Sequence, residues 1–409
     1  MINKITRKLV DYVFFSGLSA GIGFLTIIYM AKVITPEELG VVGLYMAALF
    51  VLPQLISFAT IGLVSINKVK LRSEEFVEFS KSFFTFGIFI FILIFLLSFL
   101  IGLFSEHYLI VFIGVPIIAF IQYLNLFHGV ELIQDGSSRQ YGSYKLILAL
   151  MYLLLTVLSI SYFELSWDGR LFAILISELI ILLVALKFSF TTLRKFNFKF
   201  DIVNFREYIY FGFPLLLGLG AGFVLNQVDK IIILEFFTLK DVGIYTVAYS
   251  IGSIVNIINR SATNAIVPVL YEYLEKKEAS SIVRKLNVYY SLAIMAIALL
   301  VGLSSYWYVP LFFGDEYSES PMIILFIALA FAFNGVYRVT GVVIAFYKRN
   351  SLQMKLLYIS AILNVILSIA LIPFFGMVSP ALATFFAYIL LAYLSYTYGW
   401  KILKKEELF

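Results

Sequence analysis

Long apolar runs that contain few charges limit this chain to a small number of possible folds. An α-helix needs about 20 mostly apolar residues to cross a hydrocarbon core of about 30 Å, whereas a transmembrane strand leaves alternating segments of about 10 residues. Backbone polar groups in lipid must be satisfied within the spanning structure, so these runs predict an all-α integral membrane bundle of about 12 transmembrane helices. The runs cover roughly residues 10–33, 39–64, 83–104, 108–128, 145–163, 171–190, 208–234, 242–268, 288–312, 321–346, 356–375 and 380–399.

Composition excludes several other classes of protein. Of the 409 residues, 62% are apolar and 13% are charged, whereas soluble domains are about 25% charged. A soluble enzyme or a nucleic-acid-binding protein is therefore excluded, and we expect no nucleic-acid partner. The chain has no cysteine and only two histidines, His107 and His128. We therefore expect no disulfide, no metal site and no cofactor.

The distribution of Lys and Arg predicts the orientation of the spans. When the N-terminus is placed in the cytoplasm, 24 of the 30 basic residues fall on cytoplasmic segments, and only Lys32, Arg170 and Lys240 fall at outer edges. Cytoplasmic loops carry such an excess, so both termini are predicted to be cytoplasmic. The run at 10–33 is longer than the apolar core of a signal peptide, about 7–15 residues, and is expected to be a retained first span.

Two copies of one short motif predict an internal repeat. The pattern Thr-x-x-acid-aliphatic-Gly occurs at 35–40 and again at 238–243, each time after a long run and at the start of the next. Thr is a favoured helix N-cap, and an acidic first turn complements the helix dipole. We therefore predict two six-helix lobes, an N-lobe at 1–200 and a C-lobe at 201–409, related by a pseudo-two-fold axis along the membrane normal.

The loops argue for transport and against catalysis. Every predicted outer loop is short, and the longest lie near 163–170 and 313–321. A glycan polymerase or ligase that works outside the membrane needs a larger loop domain. No Gly-x-x-x-x-Gly-Lys-Ser/Thr sequence is present to bind ATP. We therefore predict no enzyme activity and no catalytic residues, and a transporter driven by an ion gradient, a membrane potential or the gradient of its substrate.

Two arginines inside predicted spans are the strongest candidates for a binding site. A charge near the middle of a membrane costs about 2.5–3.5 kcal/mol on insertion scales, so Arg260 and Arg338 should face a cavity or a partner. Asn256 and Asn334 each lie one turn before one of these arginines. The guanidinium fork binds phosphate oxygens in a bidentate manner, so the pair indicates a polyanion site. The structural alternative is pairing with a carboxylate or with helix-end carbonyls, or snorkelling to the interface.

Further ionisable residues lie in or near the spans. Lys230 and Lys32 occupy matching places late in the seventh and first runs, where they either contribute to substrate binding or snorkel to the interface. Asp229 and Glu178 are candidates for ion coupling, and Glu178 is alternatively a partner for an arginine. Polar residues also form single-face stripes in the fourth and eleventh runs, and helix packing is the favoured interpretation of both. These stripes comprise Gln122, Asn125 and His128, and Ser360, Asn364 and Ser368.

Several stretches resemble a known family of transporters. They are Phe24-Leu25, residues 35–40, the region from Pro214 through Asp229-Lys230 to 242–245, and the region from Asn364 through 372–376 to 381–384. In layout the whole chain resembles a polysaccharide (O-antigen or capsule repeat-unit) flippase of the Wzx type, within the multidrug/oligosaccharidyl-lipid/polysaccharide exporter superfamily. One departure is that Ser379-Pro380-Ala381 stands where relatives often have Gly-Ala-Ala.

The resemblance implies a specific activity. It implies two six-helix lobes around a cationic cavity, in the bacterial cytoplasmic (inner) membrane. The substrate would be an undecaprenyl-diphosphate-linked oligosaccharide, moved from the cytoplasmic to the outer leaflet by alternating access, with membrane lipids and polysaccharide-assembly proteins as partners. A cation-coupled drug exporter of the same superfamily is the closest alternative, and an integral-membrane glycan polymerase or transferase is a more distant one.

Overall fold

The computed structural model describes residues 2–105, 107–275 and 279–407, and this part of the chain is almost entirely helical. Lys276 and Lys277, which contribute to the predicted cytoplasmic charge, lie outside the described residues. The α-helices in chain order are α1 (Ile2–Val33), α2 (Pro36–Ile56), α3 (Ile61–Lys70), α4 (Ser73–Gly102), α5 (Leu109–Gln134), α6 (Ser138–Ser161), α7 (Trp167–Phe188), α8 (Thr191–Arg194), α9 (Ile202–Phe236), α10 (Leu239–Gly252), α11 (Ile254–Glu275), α12 (Ala279–Phe313), α13 (Ser320–Phe346), α14 (Asn350–Ala370), α15 (Ile372–Phe375) and α16 (Ser379–Glu407).

The helices confirm the predicted all-α membrane fold. Within the described residues, 11 helical segments are long and apolar enough to cross a membrane, and a shorter apolar helix covers Gly17–Val33. Each of the predicted runs coincides with one of these segments. The agreement follows from the length of the runs, since a continuous apolar run of this size in lipid satisfies its backbone hydrogen bonds by forming a helix.

Three of the predicted runs are interrupted in the structure, the eleventh of them at Leu371 between α14 and α15. The second run breaks after α2, where Phe58 and Ala59 adopt positive φ angles of 53° and 57°, and α3 then begins at Ile61. The hydroxyls of Ser57 and Thr60 donate to backbone carbonyls at this break, which offers the chain an alternative to the helix ladder. The eighth run is divided at Ser253 into α10 and α11.

The chain forms two compact units. The first unit comprises Met1–Tyr29 and Leu44–Gly220, and the second comprises Met30–Gly43 and Ala221–Phe409. The C-terminal end of α1 and the start of α2 therefore belong to the second unit, while most of both helices belongs to the first. The predicted lobe boundary at residue 200 stays a prediction.

The two copies of the repeated motif have the same local geometry and contact each other within the second unit. Thr35 and Glu38 exchange backbone-to-side-chain hydrogen bonds of 2.8 and 3.3 Å, and Thr238 and Asp241 do the same at 3.0 and 3.3 Å. The predicted N-caps are thus confirmed as capping boxes. A Cβ atom added at Gly40 would overlap the Leu239 carbonyl, and one added at Gly243 would overlap the Pro36 carbonyl. Glycine is required at both places because backbone meets backbone there.

Candidate functional site

The second unit brings the two predicted arginines together. Arg338 on α13 donates from Nε to Oδ1 of Asn334, one turn earlier, at 2.8 Å. Its guanidinium lies within electrostatic range of that of Arg260 on α11, so the two like charges repel each other. Arg260 is exposed at the surface of its unit and Arg338 is half-buried. Neither forms an ion pair with any described residue, which removes the carboxylate-partner alternative for this part of the chain.

Lys230 joins the same cationic cluster through an aromatic ring. Its Nζ lies 5.5 Å from the ring centroid of Tyr249 on α10, and it donates to Oε1 of Gln227 at 2.9 Å. Arg260 is within electrostatic range of the Tyr249 hydroxyl. We call Lys230, Arg260 and Arg338 the cationic cluster. The arginines on α11 and α13 lie within electrostatic range of each other, whereas Lys230 on α9 lies within electrostatic range of Asp229. The arginine pair suits a polyanion.

Other polar residues fix the helices that carry the cluster. Asn259 on α11 accepts a hydrogen bond from the hydroxyl of Tyr290 on α12 at 2.7 Å and donates to the Phe331 carbonyl on α13. A side chain at Gly335 would collide with both Asn259 and Tyr290. Asn256 lies one turn before Arg260, and its buried Oδ1 has no hydrogen-bond partner among the described residues. The Asn259–Tyr290 contact was not predictable from sequence, because it joins residues 31 positions apart.

Asp229 lies in a hydroxyl-rich pocket of the same unit. It is only 1% exposed, and its Oδ2 accepts hydrogen bonds from the hydroxyl of Tyr245 and, at 3.1 Å, from Oγ1 of Thr384. Asn364, part of the predicted packing stripe, donates to the same Thr384 oxygen at 2.8 Å. Oδ1 of Asp229 has no hydrogen-bond partner among the described residues, and neither has Oδ1 of Asn364. Buried oxygens with unused lone pairs are the kind of group that takes up a proton or a small cation.

Lys32 does not join the cationic cluster. Its Nζ lies 5.4 Å from the ring centroid of Phe312, at the end of α12 next to the start of α13. Arg338 is 18 residues further along α13, about 27 Å at 1.5 Å per residue. Lys32 instead lines a cavity of about 700 Å³ together with Lys240 and Glu316. The sequence analysis paired Lys32 with Lys230, and in the structure the two lysines contact different aromatic rings, Phe312 and Tyr249.

Glu178 is the central residue of a polar site within the first unit. It is 3% exposed, accepts from Nδ2 of Asn125 at 2.6 Å, and also accepts from the hydroxyl of Tyr152. Arg170 does not pair with it, because that guanidinium donates to the Tyr152 carbonyl at 3.2 Å and to Oγ1 of Thr156 at 2.8 Å. Asn125, interpreted from the sequence as a packing residue, is therefore a direct partner of the carboxylate.

A cavity of about 440 Å³ adjoins Glu178. Helices α1, α2, α5, α6 and α7 contribute its walls, all from the first unit. Lys145 and Arg170 bring positive charge to these walls, and Lys145 lies within electrostatic range of Glu178. Among the described residues, no group of three His, Cys, Asp or Glu side chains is arranged to hold a metal ion.

The fold is that of a class of membrane transporters. An inward-facing multidrug resistance MATE family transporter of the MOP superfamily superposes with a TM-score of 0.75 at 14% identity, covering 97% of this chain and 99% of that one. Lipid II flippase MurJ, in an inward closed conformation, superposes with a TM-score of 0.68 at 14% identity, covering 98% of this chain and 91% of that one. The chain therefore has the two-lobe helical fold of these transporters.

Within that class the sequence assigns a family. Residues 6–274 match the family described as "Polysaccharide biosynthesis protein", and the chain belongs to this family. It is also 23% identical over 222 residues to the probable low-salt glycan biosynthesis flippase Agl15 of Haloferax volcanii, over 53% of this chain and 46% of that protein. The chain spans between about a quarter and a half of the length of the curated relatives it matches.

Proposed function

We propose that this protein is a flippase that moves undecaprenyl-diphosphate-linked oligosaccharide repeat units from the cytoplasmic to the outer leaflet, for cell-surface polysaccharide biosynthesis. The observation that carries the proposal is the cationic cluster, in which Arg260 and Arg338 lie close together without an acidic partner among the described residues. Two guanidinium groups that repel each other are stabilised by a bound polyanion such as a diphosphate. Family membership and the similarity to Agl15 support a role in glycan assembly.

The chemistry of the substrate explains why such a cluster is needed. Moving an ionised group into hydrocarbon without compensation costs many kcal/mol. In the proposed mechanism, Arg260 and Arg338 replace the hydration of the diphosphate while the prenyl tail stays in lipid. Asn334 orients the Arg338 fork through its 2.8 Å hydrogen bond, and Asn256 offers an amide one turn from Arg260. Lys230 adds a third charge, and Lys32 meets the headgroup at the far end of the second unit.

Asp229 is the better supported of the two ion-coupling candidates. Its carboxylate is buried, has no ion pair within 4.0 Å among the described residues, and retains an oxygen without a hydrogen bond. Lys230, its chain neighbour, bonds Gln227 instead. Uptake of a proton or a cation at Asp229 would remove the cost of the buried charge, so the occupied and unoccupied forms favour different packings. Glu178 remains the second candidate. We further propose an inner-membrane location with both termini in the cytoplasm.

Reconstitution tests the function directly. Purified protein in liposomes, supplied with fluorescent undecaprenyl-diphosphate oligosaccharide, is expected to move the lipid between leaflets, as measured by accessibility to a membrane-impermeant quencher. Arg260→Ala is expected to slow this movement about 10- to 100-fold, because a hydrogen bond to a charged group contributes about 1.5–3 kcal/mol. Arg206→Ala, which removes an exposed arginine of α9, is the matched control.

Two outcomes would contradict the proposal. Full lipid movement by Arg260→Ala at normal protein level would remove the role of the cluster. Efflux of a cationic dye from the same vesicles, without lipid movement, would assign the protein to the drug-exporter alternative.

A further inference from the structure

We propose that the cavity beside Glu178 in the first unit is a saccharide subsite, which receives a sugar residue of the lipid-linked glycan. This inference rests on the proposed function and adds a second recognition element, separate from the cationic cluster that receives the diphosphate. The two sites lie in different compact units and share no residue.

The cavity is much larger than a single ion needs. Its volume of about 440 Å³ lies within the range of about 300–1,000 Å³ that is typical of small-molecule pockets. A single water molecule occupies about 30 Å³ of liquid. The wall formed by Gly23 carries no side chain, and a Cβ atom added there would meet nothing within 4 Å. The cavity therefore has room for a sugar ring.

The walls of the cavity combine groups that suit a polyol. Gln54 and Gln122 contribute amides, which both donate and accept hydrogen bonds. Tyr144 and Tyr152 contribute aromatic faces and phenol groups. Sugars carry hydroxyls that need both donors and acceptors, and C–H faces that pack on aromatic rings. Apolar cationic drugs need neither property.

Unused hydrogen-bonding capacity is concentrated around the cavity. Four of the residues that line it each have a buried polar atom with no hydrogen-bond partner among the described residues: Oγ of Ser19, Oδ1 of Asn125, the hydroxyl of Tyr144 and Nε of Arg170. Asn125 and Arg170 are 5% and 6% exposed, respectively. Native proteins seldom leave such atoms unsatisfied, so their concentration at one cavity indicates a polar ligand.

The charges of the walls define which sugars are preferred. Lys145 and Arg170 outnumber the single acid Glu178 among the lining residues. Glu178 is already engaged by Asn125 and Tyr152, whereas Lys145 forms no ion pair among the described residues. We therefore expect a sugar that carries a carboxylate to bind more tightly than the neutral sugar of the same ring, and an amino sugar to bind less tightly.

A transport experiment separates this subsite from the diphosphate site. Gly23→Phe fills the cavity, and Gly21→Phe is the matched control, because its Cβ also points to open space on the same helix but does not line the cavity. Gly23→Phe should slow movement of an undecaprenyl-diphosphate disaccharide by about tenfold and leave sugar-free undecaprenyl diphosphate within about twofold. Arg260→Ala should slow both lipids. Equal slowing of both lipids by Gly23→Phe, or slowing of neither, would overturn the subsite.

A binding experiment tests the cavity without transport. The chain has no cysteine, so Ala149→Cys introduces a single thiol in the cavity wall of the full-length protein. Methyl glucuronide at millimolar concentration should slow modification of this thiol by a methanethiosulfonate reagent more than methyl glucoside does. Mannitol and a Gly21→Cys protein are controls and should show no protection. Absence of protection by either glycoside would overturn the subsite even if the lipid is moved. Failure to move any lipid, with protection intact, would contradict the proposed function instead.

Discussion

The buried carboxylates of Glu178 in the first unit and Asp229 in the second have similar partners but different surroundings. Each accepts a hydrogen bond from a tyrosine hydroxyl, Tyr152 for Glu178 and Tyr245 for Asp229. Glu178 adjoins a cavity whose walls also carry basic groups. Asp229 is packed among hydroxyl and aromatic side chains and lies within electrostatic range of Lys230, and one of its oxygens makes no hydrogen bond to the described residues.

This difference separates two roles that the sequence could not distinguish. In the first unit both carboxylate oxygens accept hydrogen bonds, so we expect Glu178 to hold the walls of the proposed ligand cavity. In the second unit Oδ1 of Asp229 makes no hydrogen bond to the described residues, so we expect this carboxylate to bind and release a proton or a cation. The lesson is that the neighbours of a buried acid, more than its burial, determine what it does.

The largest effect is expected from neutralising the two carboxylates in turn. Asp229→Asn should lower gradient-driven lipid movement by about 100-fold, because the amide cannot take up a proton or balance a cation; this corresponds to about 2.7 kcal/mol. Glu178→Gln should keep its response to the gradient and lose at most about tenfold in rate. The measurement is lipid movement in liposomes with an imposed proton or sodium gradient, compared with no gradient. If the Glu178→Gln variant lost its response to the gradient and the Asp229→Asn variant kept it, the roles assigned to the two acids would be reversed.

A smaller effect should distinguish the arginines of the two units. Arg338→Gln should weaken binding of undecaprenyl diphosphate by about tenfold and leave thermal stability unchanged, because its guanidinium bonds only Asn334 among the described residues. Arg170→Gln should instead lower the unfolding temperature, because it leaves the Tyr152 carbonyl and Thr156 with fewer partners at a cost of about 1–3 kcal/mol. Lipid binding and thermal unfolding in detergent measure the two effects. Equal losses of binding in both proteins would show that the arginines share one role.

The smallest effect is expected when the tyrosine hydroxyls that bond the carboxylates are removed. Tyr152→Phe and Tyr245→Phe should each destabilise the protein by about 1 kcal/mol, since each leaves a carboxylate with one hydrogen bond fewer. Only Tyr245→Phe should also change the size of the ion gradient that gives half-maximal lipid movement. The reason is that only Asp229 is proposed to bind and release the coupling proton or cation. An unchanged gradient dependence in Tyr245→Phe would weaken the assignment of Asp229.

Much of the fold was predictable because membrane insertion constrains the chain locally. Each apolar run folds as a helix to satisfy its own backbone, so the number and approximate bounds of the spans follow from hydropathy. The capping boxes at Thr35 and Thr238 were predictable for the same reason, since their partners lie three residues away. The interruption at Phe58 and Ala59 was not predicted, because side-chain hydrogen bonds at Ser57 and Thr60 compete there with the helix.

The candidate sites were only partly predictable. Arg260, Arg338, Asp229 and Glu178 were identified because an ionisable residue within an apolar run is costly and therefore conspicuous. Asn125 and Asn364 were visible but interpreted as packing residues, since a polar stripe does not reveal what its side chains touch. Tyrosine hydroxyls gave no signal at all, because the chain has 27 tyrosines and most lie in apolar sequence.

That the chain is a helical membrane protein, where its spans lie and which charges fall within them could be predicted from sequence, because these properties depend on neighbours along the chain. Which charges meet depends instead on how the helices pack. In the structure Arg260 lies near Arg338, and Lys32 lies near the start of α13. Glu178 and Asp229 have different neighbours. The physical reason is that a helix fixes the direction of its own side chains, whereas the packing of one helix on another fixes their partners.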